Sequence, residues 1–307
     1  MKVIALVVAV ALALGWWWTH PPDPAAEVRA YADPLGTLER VPAPELGRGI
    51  ERWRMIAAGG DTVTGLWRAA ARNGAASPPT GAPAPAWAVV ILGGIGTDER
   101  AALLVPESLP VGVLAVSWPW KGSRKMSQLD FVASVPALRA ALLRTPGALA
   151  RAIAAVRRAS PGTRVALLGA SLGVPPTVAA LSLARPDALV LVDGAADLEE
   201  LLRSETARAL GGGEPGATLA PPAAALAARL LSSLEPARYG GAGQGIATLL
   251  VDAERDERYP RACIERLHAT FPHAALATHP GRHMRPEDLR QVISIVRTTW
   301  RWLGGLD

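Results

Sequence analysis

Arg164-Val-Ala-Leu-Leu-Gly-Ala-Ser171-Leu-Gly-Val-Pro175 changes character in its middle. Its first half is a short, continuous apolar run, which suits a strand buried on both faces. Its second half opens a helix. Between them stands Gly169-x-Ser171-x-Gly173. A serine on so sharp a strand-to-helix turn is held in strained geometry with its hydroxyl above the sheet. The flanking glycines let neighbouring backbone pass close by. The N–H groups of the helix start then face negative charge that develops beside the serine. The chain's glycine and serine frequencies predict only about 0.1 chance matches to this pattern.

Working outward, four more short apolar runs share this continuous character: Trp87–Leu92, Val111–Ser117, Ala188–Val192 and Ile246–Val251. His273–Thr278 is a weaker one. Helical spacing separates them. Leu149, Ile153 and Val156 form one apolar face, with Arg151, Arg157 and Arg158 off it. Pro286, Glu287 and Asp288 predict the start of a last helix, with Pro at its first position and acids in its first turn. Leu289, Val292, Val296, Trp300 and Leu303 are its expected core face. Ile50–Ala58 and Thr62–Ala70, joined by Gly59-Gly60-Asp61, predict a hairpin. Residues 72–86 predict a loop. Alternating strand and helix make the class α/β, with a mostly parallel, doubly wound sheet. Residues 196–243 interrupt the alternation with an Ala/Leu-rich stretch too long for a plain loop, which predicts a small helical cap.

The chain has 307 residues, half of them apolar, enough to bury a full core without disulfides or metals. The net charge is +5 and the pI about 10.0. Arginine carries nearly all the positive charge and is dispersed among acids, as in Asp98-Glu99-Arg100 and Glu254-Arg255-Asp256. Nucleic-acid binding needs a clustered basic face, so no nucleic-acid partner is expected. The single Cys263 cannot form an intramolecular disulfide, and it reads as a small buried apolar side chain.

Lys2 followed by the apolar run 3–18 (VIALVVAVALALGWWW) reads as a signal anchor or signal peptide over 1–19. Cleavage at Ala11-Leu12-Ala13 would leave three tryptophans at a mature N-terminus. Uncleaved, sixteen residues span ~24 Å at ~1.5 Å each, and the Trp cluster suits the membrane interface. Membrane contact through residues 3–18 is therefore expected. The rest of the chain is expected to be exported and held on the periplasmic or extracellular side, or secreted if the segment is cleaved. Residues 20–47 read as a Pro-rich tether, and 48–307 as the α/β domain with its cap.

A serine nucleophile needs a base, and the base an orienting acid. Of five histidines, His20 lies in the expected tether, while His268 in a helix and His273 at a strand start read as structural. His279 precedes Pro280. His283 lies in a loop after the last strand and before the last helix, at the carboxyl end of the sheet where ligand-facing residues sit. It is the first candidate for the base, and His279 the second. For the acid, Asp256 lies in the loop beyond Ile246–Val251, shortly before Pro260. Asp252 at that strand's end and Asp193 after the preceding strand are alternatives. An oxyanion would take one N–H from Leu172, the residue after the serine, and one from the turn Gly93-Gly94-Ile95-Gly96-Thr97. That turn lacks the spacing of a dinucleotide fingerprint. Pro280 and Gly281 forbid the helix that would align His279 and His283 on a metal. No cofactor and no metal are expected.

With these residues in hand, the chain resembles the α/β-hydrolase superfamily over about residues 48–305. The resemblance rests on the order Ser171…Asp256…His283, the Gly169-x-Ser171-x-Gly173 elbow and the Gly93–Gly96 turn. It implies Ser171 as nucleophile, His283 as general base then acid, and Asp256 as the acid that orients it. It also implies Ile95 or Gly94 as the second oxyanion donor, with Gly93 standing where many members have His. Serine at position 171 argues against haloalkane dehalogenases and epoxide hydrolases, which carry Asp there. The expected function is a serine hydrolase of carboxylic esters, acting on a small-molecule acyl ester through an acyl-enzyme. A serine peptidase or acyltransferase on the same residues is one alternative. A membrane-tethered binding module without chemistry is another.

Overall fold

Both faces of the sheet are covered in the computed structural model, which describes residues 20, 23–70, 86–94, 97–120, 128–209 and 214–306. In chain order the elements are α1 (Pro24–Arg29), β1 (Leu35–Pro42), β2 (Ile50–Ala57), β3 (Thr62–Arg68), β4 (Trp87–Leu92), α2 (Ala101–Leu104) and β5 (Gly112–Val116). There follow α3 (Gln128–Ala159), β6 (Arg164–Ala170), α4 (Val174–Ala180), β7 (Ala188–Val192), α5 (Leu198–Ala209) and α6 (Glu214–Leu230). The chain closes with β8 (Ala247–Ala253), α7 (Arg261–Thr270), β9 (Ala275–His279) and α8 (Leu289–Gly304). No helix of the described residues is long and apolar enough to cross a membrane. The run 3–18, Ile95 and Gly96 lie outside the described residues.

Nine strands pair in the order β1-β2-β3-β5-β4-β6-β7-β8-β9. The first three are antiparallel meanders, and everything from β5 to β9 is parallel. Alternate residues of one strand serve opposite cores. Ala88, Val90 and Leu92 face a core shared with α3, α4 and α7. Trp87, Val89 and Ile91 face one shared with α2 and α8. Double coverage is why these strands read as continuous apolar runs rather than alternating ones. Strand order reverses at β4, which lies between β5 and β6. In an open parallel sheet, a crevice forms beyond the carboxyl ends of strands at such a reversal. Gly93 follows β4 there, and Ser171 follows β6.

Three expectations are corrected. The expected tether 20–47 is folded from residue 23 on: α1 and β1 are docked parts of the domain. Leu35–Pro42 pairs antiparallel with Glu51–Ala57 of β2, with a bulge between Leu35 and Thr37, and Val28 is fully buried. Proline and charge are tolerated on a strand open to solvent on one edge, so their presence hid the strand. The last helix begins at Leu289 rather than Pro286, because the Asp288 carboxylate accepts the Gln291 N–H at 3.1 Å and caps it there. Its buried face is Val292, Ile295, Thr299 and Leu303, and Leu289 is 59% exposed. The polar Thr299 concealed this phase. Between β7 and β8, the expected interruption holds α5 and α6, packed on one another.

Candidate active site

Ser171 has φ +52°, a left-handed conformation that non-glycine residues seldom adopt. The glycines around it are required by contact. A Cβ on Gly169 would stand 2.6 Å from Thr177 Oγ1, and one on Gly173 would overlap the Leu92 carbonyl oxygen. The chain after the serine makes one 3₁₀ turn, Ser171–Gly173, before α4 starts at Val174. The serine thus sits on a bend held between the end of β4 and the helix α4 that follows it.

The loop after β9 brings His283 to it. Ser171 Oγ lies 2.8 Å from His283 Nε2, and His283 Nδ1 lies 2.9 Å from Asp256 Oδ2. The other oxygen of Asp256 accepts the backbone N–H groups of Arg258 (2.8 Å) and Tyr259 (2.9 Å). Burial works against its charge, but the hydrogen bonds from His283 and these N–H groups outweigh it and hold the carboxyl below its ordinary pKa. Asp256 therefore stays ionised and accepts from Nδ1, which leaves Nε2 free to accept the serine proton. His283 is 5% exposed, and Glu257 accepts its backbone N–H at 3.2 Å.

The other sequence candidates are occupied elsewhere. Asp252 is paired at 2.7 Å with His268 Nε2. Desolvation raises its pKa despite that partner. Asp193 and His279 form a second pair, 2.9 Å apart and both fully buried. Each of the three acids considered at the sequence level thus holds a different histidine. The Asp193–His279 pair is not idle. The second oxygen of Asp193 accepts the N–H of Met284, the residue after His283, at 2.6 Å. The Gln291 amide lies 3.2 Å from His279 Nδ1, donates to the Arg282 carbonyl and accepts the Arg285 N–H. The loop 280–285 is thereby held on both sides of His283. Burial opposes the charged form of His279, but the Asp193 hydrogen bond and charge prevail and raise its pKa.

The turn after β4 faces the serine. A Cβ on Gly94 would stand 3.6 Å from Ser171 Cβ, so this backbone borders the space above the hydroxyl. The Gly93 carbonyl is fixed by the Trp118 indole N–H at 3.0 Å. Thr97 N–H closes the turn on the Gly94 carbonyl at 3.1 Å. Leu172 is half-buried and packs against the core. Cys263 is buried, and burial with the nearby acids pushes its thiol up to about 11, so it remains protonated.

Sequence reasoning missed Tyr259. This phenol is 7% exposed and its hydroxyl lies 3.2 Å from Ser171 Oγ. Its place three residues after Asp256 was the one available signal. The insertion also touches this loop: Arg208 of α5 donates to the Arg258 carbonyl at 3.0 Å, and Glu205 pairs with Arg258 at 3.3 Å. A hydroxyl polarised by a histidine and an ionised carboxylate, beside a glycine turn, is an arrangement that can transfer acyl groups.

No protein-family model and no curated protein matches the chain. Solved structures do match in fold. A puromycin-hydrolyzing peptidase of Mycobacterium tuberculosis aligns with a TM-score of 0.59 at 19% identity, over 86% of this chain and 41% of the peptidase. An esterase of Pyrococcus furiosus aligns at 0.53 and 14% identity, over 88% of this chain and 97% of the esterase. The Thermus thermophilus protein TT1662 aligns at 0.51 and 22% identity, over 82% of this chain and 98% of that one.

Proposed function

We propose that this chain, which has the α/β-hydrolase fold, is a serine hydrolase that cleaves carboxylic esters through an acyl-enzyme. The observation that carries this reading is the continuous chain Ser171 Oγ–His283 Nε2, Nδ1–Asp256 at 2.8 and 2.9 Å. Ser171 Oγ attacks the ester carbonyl while His283 Nε2 takes its proton. The imidazolium so formed is stabilised by Asp256, then delivers the proton to the departing alcohol. A water activated by the same nitrogen releases the acid. The developing oxyanion takes the N–H of Leu172 and one from the turn after β4, at Gly94 or Ile95. The α5–α6 insertion forms the cap above the acyl group.

Incubation with a fluorophosphonate is the direct test. Mass spectrometry should find one phosphonyl group on Ser171, and a panel of ester, thioester and peptide substrates should show preference for esters. An intact, folded chain that is never labelled would sink the proposal. A panel led by peptides would shift it to a peptidase on the same residues, as in the puromycin-hydrolyzing peptidase of M. tuberculosis.

We also read residues 3–18 as a membrane anchor. The whole chain should remain with the membrane fraction after carbonate washing, and a chain lacking residues 1–19 should not. Equal partitioning of the two would remove this reading.

A further inference from the structure

The hydroxyl of Ser171 has two partners, and the mechanism above uses one. With Asp256 ionised and His283 Nδ1–H bound to it, Nε2 accepts the serine proton. The remaining partner, the Tyr259 hydroxyl at 3.2 Å, then donates its own proton to a lone pair of Ser171 Oγ. The phenol ring stands edge-on to the His283 imidazole, with centroids 4.7 Å apart and planes at 71°. Its backbone N–H is bound to Asp256. Tyr259 therefore touches all three members of the chain. Burial raises its pKa, so the phenol keeps its proton.

From this geometry we infer that Tyr259 is a further catalytic residue, a hydrogen-bond donor to Ser171 Oγ that assists departure of the serine during deacylation. The inference rests on the serine-hydrolase reading. Its chemical logic lies in how the acceptor changes. In the acyl-enzyme, Oγ is an ester oxygen and a poor acceptor. When the tetrahedral intermediate collapses to acid and free serine, the bond from the acyl carbon to Oγ breaks and its electron pair stays on Oγ. That oxygen takes one proton from the His283 imidazolium and becomes a strong acceptor. A donor already aimed at Oγ gains strength along that step, and so accelerates it. During acylation, Oγ travels the opposite way, from alcohol to ester, and the same donor gains nothing by the end. Tyr259 thus acts mainly on the second half-reaction.

Tyr259→Phe tests this, because it removes the oxygen and keeps the ring against His283. With a p-nitrophenyl ester under stopped flow, the variant should release a burst of about one equivalent of p-nitrophenolate. Steady-state turnover should then be roughly 10- to 100-fold slower than in the parent. The burst rate should stay within about threefold. Phosphonylation of Ser171 should proceed at near the parent rate, since the P–Oγ bond forms as fluoride leaves and His283 takes the serine proton, and Oγ is never expelled as a leaving group. Parent-like turnover without a burst would overturn the inference, as would equal slowing of burst and steady state. A parent chain that is itself neither phosphonylated nor active would instead overturn the serine-hydrolase reading beneath it.

Discussion

Alanine at position 171 is expected to lower ester kcat by about a million-fold, leaving the fold intact. The size follows from the roles assigned to the group. Without Oγ there is no acyl-enzyme, and His283 and Asp256 have nothing to activate. Members of such a unit act together, so the loss of one is nearly the loss of all. The residual rate should still exceed that in water, because the donors of Leu172 and the Gly93–Thr97 turn remain. The measurement is kcat with a p-nitrophenyl ester, beside thermal melting. Alanine should not lower the melting temperature. Ser171 sits at φ +52°, where serine and alanine are strained alike, and its position is half-buried, so water can replace the lost hydroxyl beside Tyr259 and His283. Turnover within tenfold of the parent would show that the nucleophile lies elsewhere.

The second large effect falls on stability. Asp193→Ala should destabilise the protein by about 3–5 kcal/mol, because it strands the buried His279 and leaves the Met284 N–H without an acceptor. A loss of that size lowers the melting temperature by roughly 10 °C in a domain this large. Alanine also tolerates poorly the φ of +45° found at position 193, whereas Asp193→Asn keeps that freedom and one acceptor and should lose less. The sign of the pH effect is fixed by the raised pKa of His279. Its stabilisation is complete below the unfolded value of about 6.5 and is lost as the pH rises through the higher folded value. The parent's melting temperature should therefore fall over that alkaline-going window, and Asp193→Ala should flatten the slope. A parent slope of opposite sign would refute the charged His279–Asp193 pair.

What could be read from the sequence, and what could not, divides along physical lines. Strands β4 and β7 were legible because both their faces are covered, so every position is apolar and buried and their limits are sharp. The elbow was legible because only glycine fits beside the Leu92 carbonyl and Thr177. The spacing of Asp256 and His283 after their strands was legible because loops at carboxyl ends carry such groups. Strand β1 was not, because its exposed edge admits Pro42 and charged residues. The start of α8 was hidden by a proline two residues ahead of the true cap. The Asp193–His279 pair and Tyr259 were hidden for a different reason. Their partners are 86 and 88 residues away in the chain, and no local pattern records which buried polar groups will meet. Nor does any pattern show that the Trp118 indole holds Gly93.

The docking of α1 has a consequence for reach. Glu27 is bound to Arg139 of α3 and to Ser233, which fixes α1 to the folded body from Pro24 on. Only residues 19–23 separate it from Trp18, and five residues extend at most about 18 Å. A bilayer holding residues 3–18 would moor the domain against the headgroups on a very short leash. Such an enzyme would sample amphiphiles that concentrate at that surface, and its two-dimensional density there, more than its affinity, would set how often it meets them.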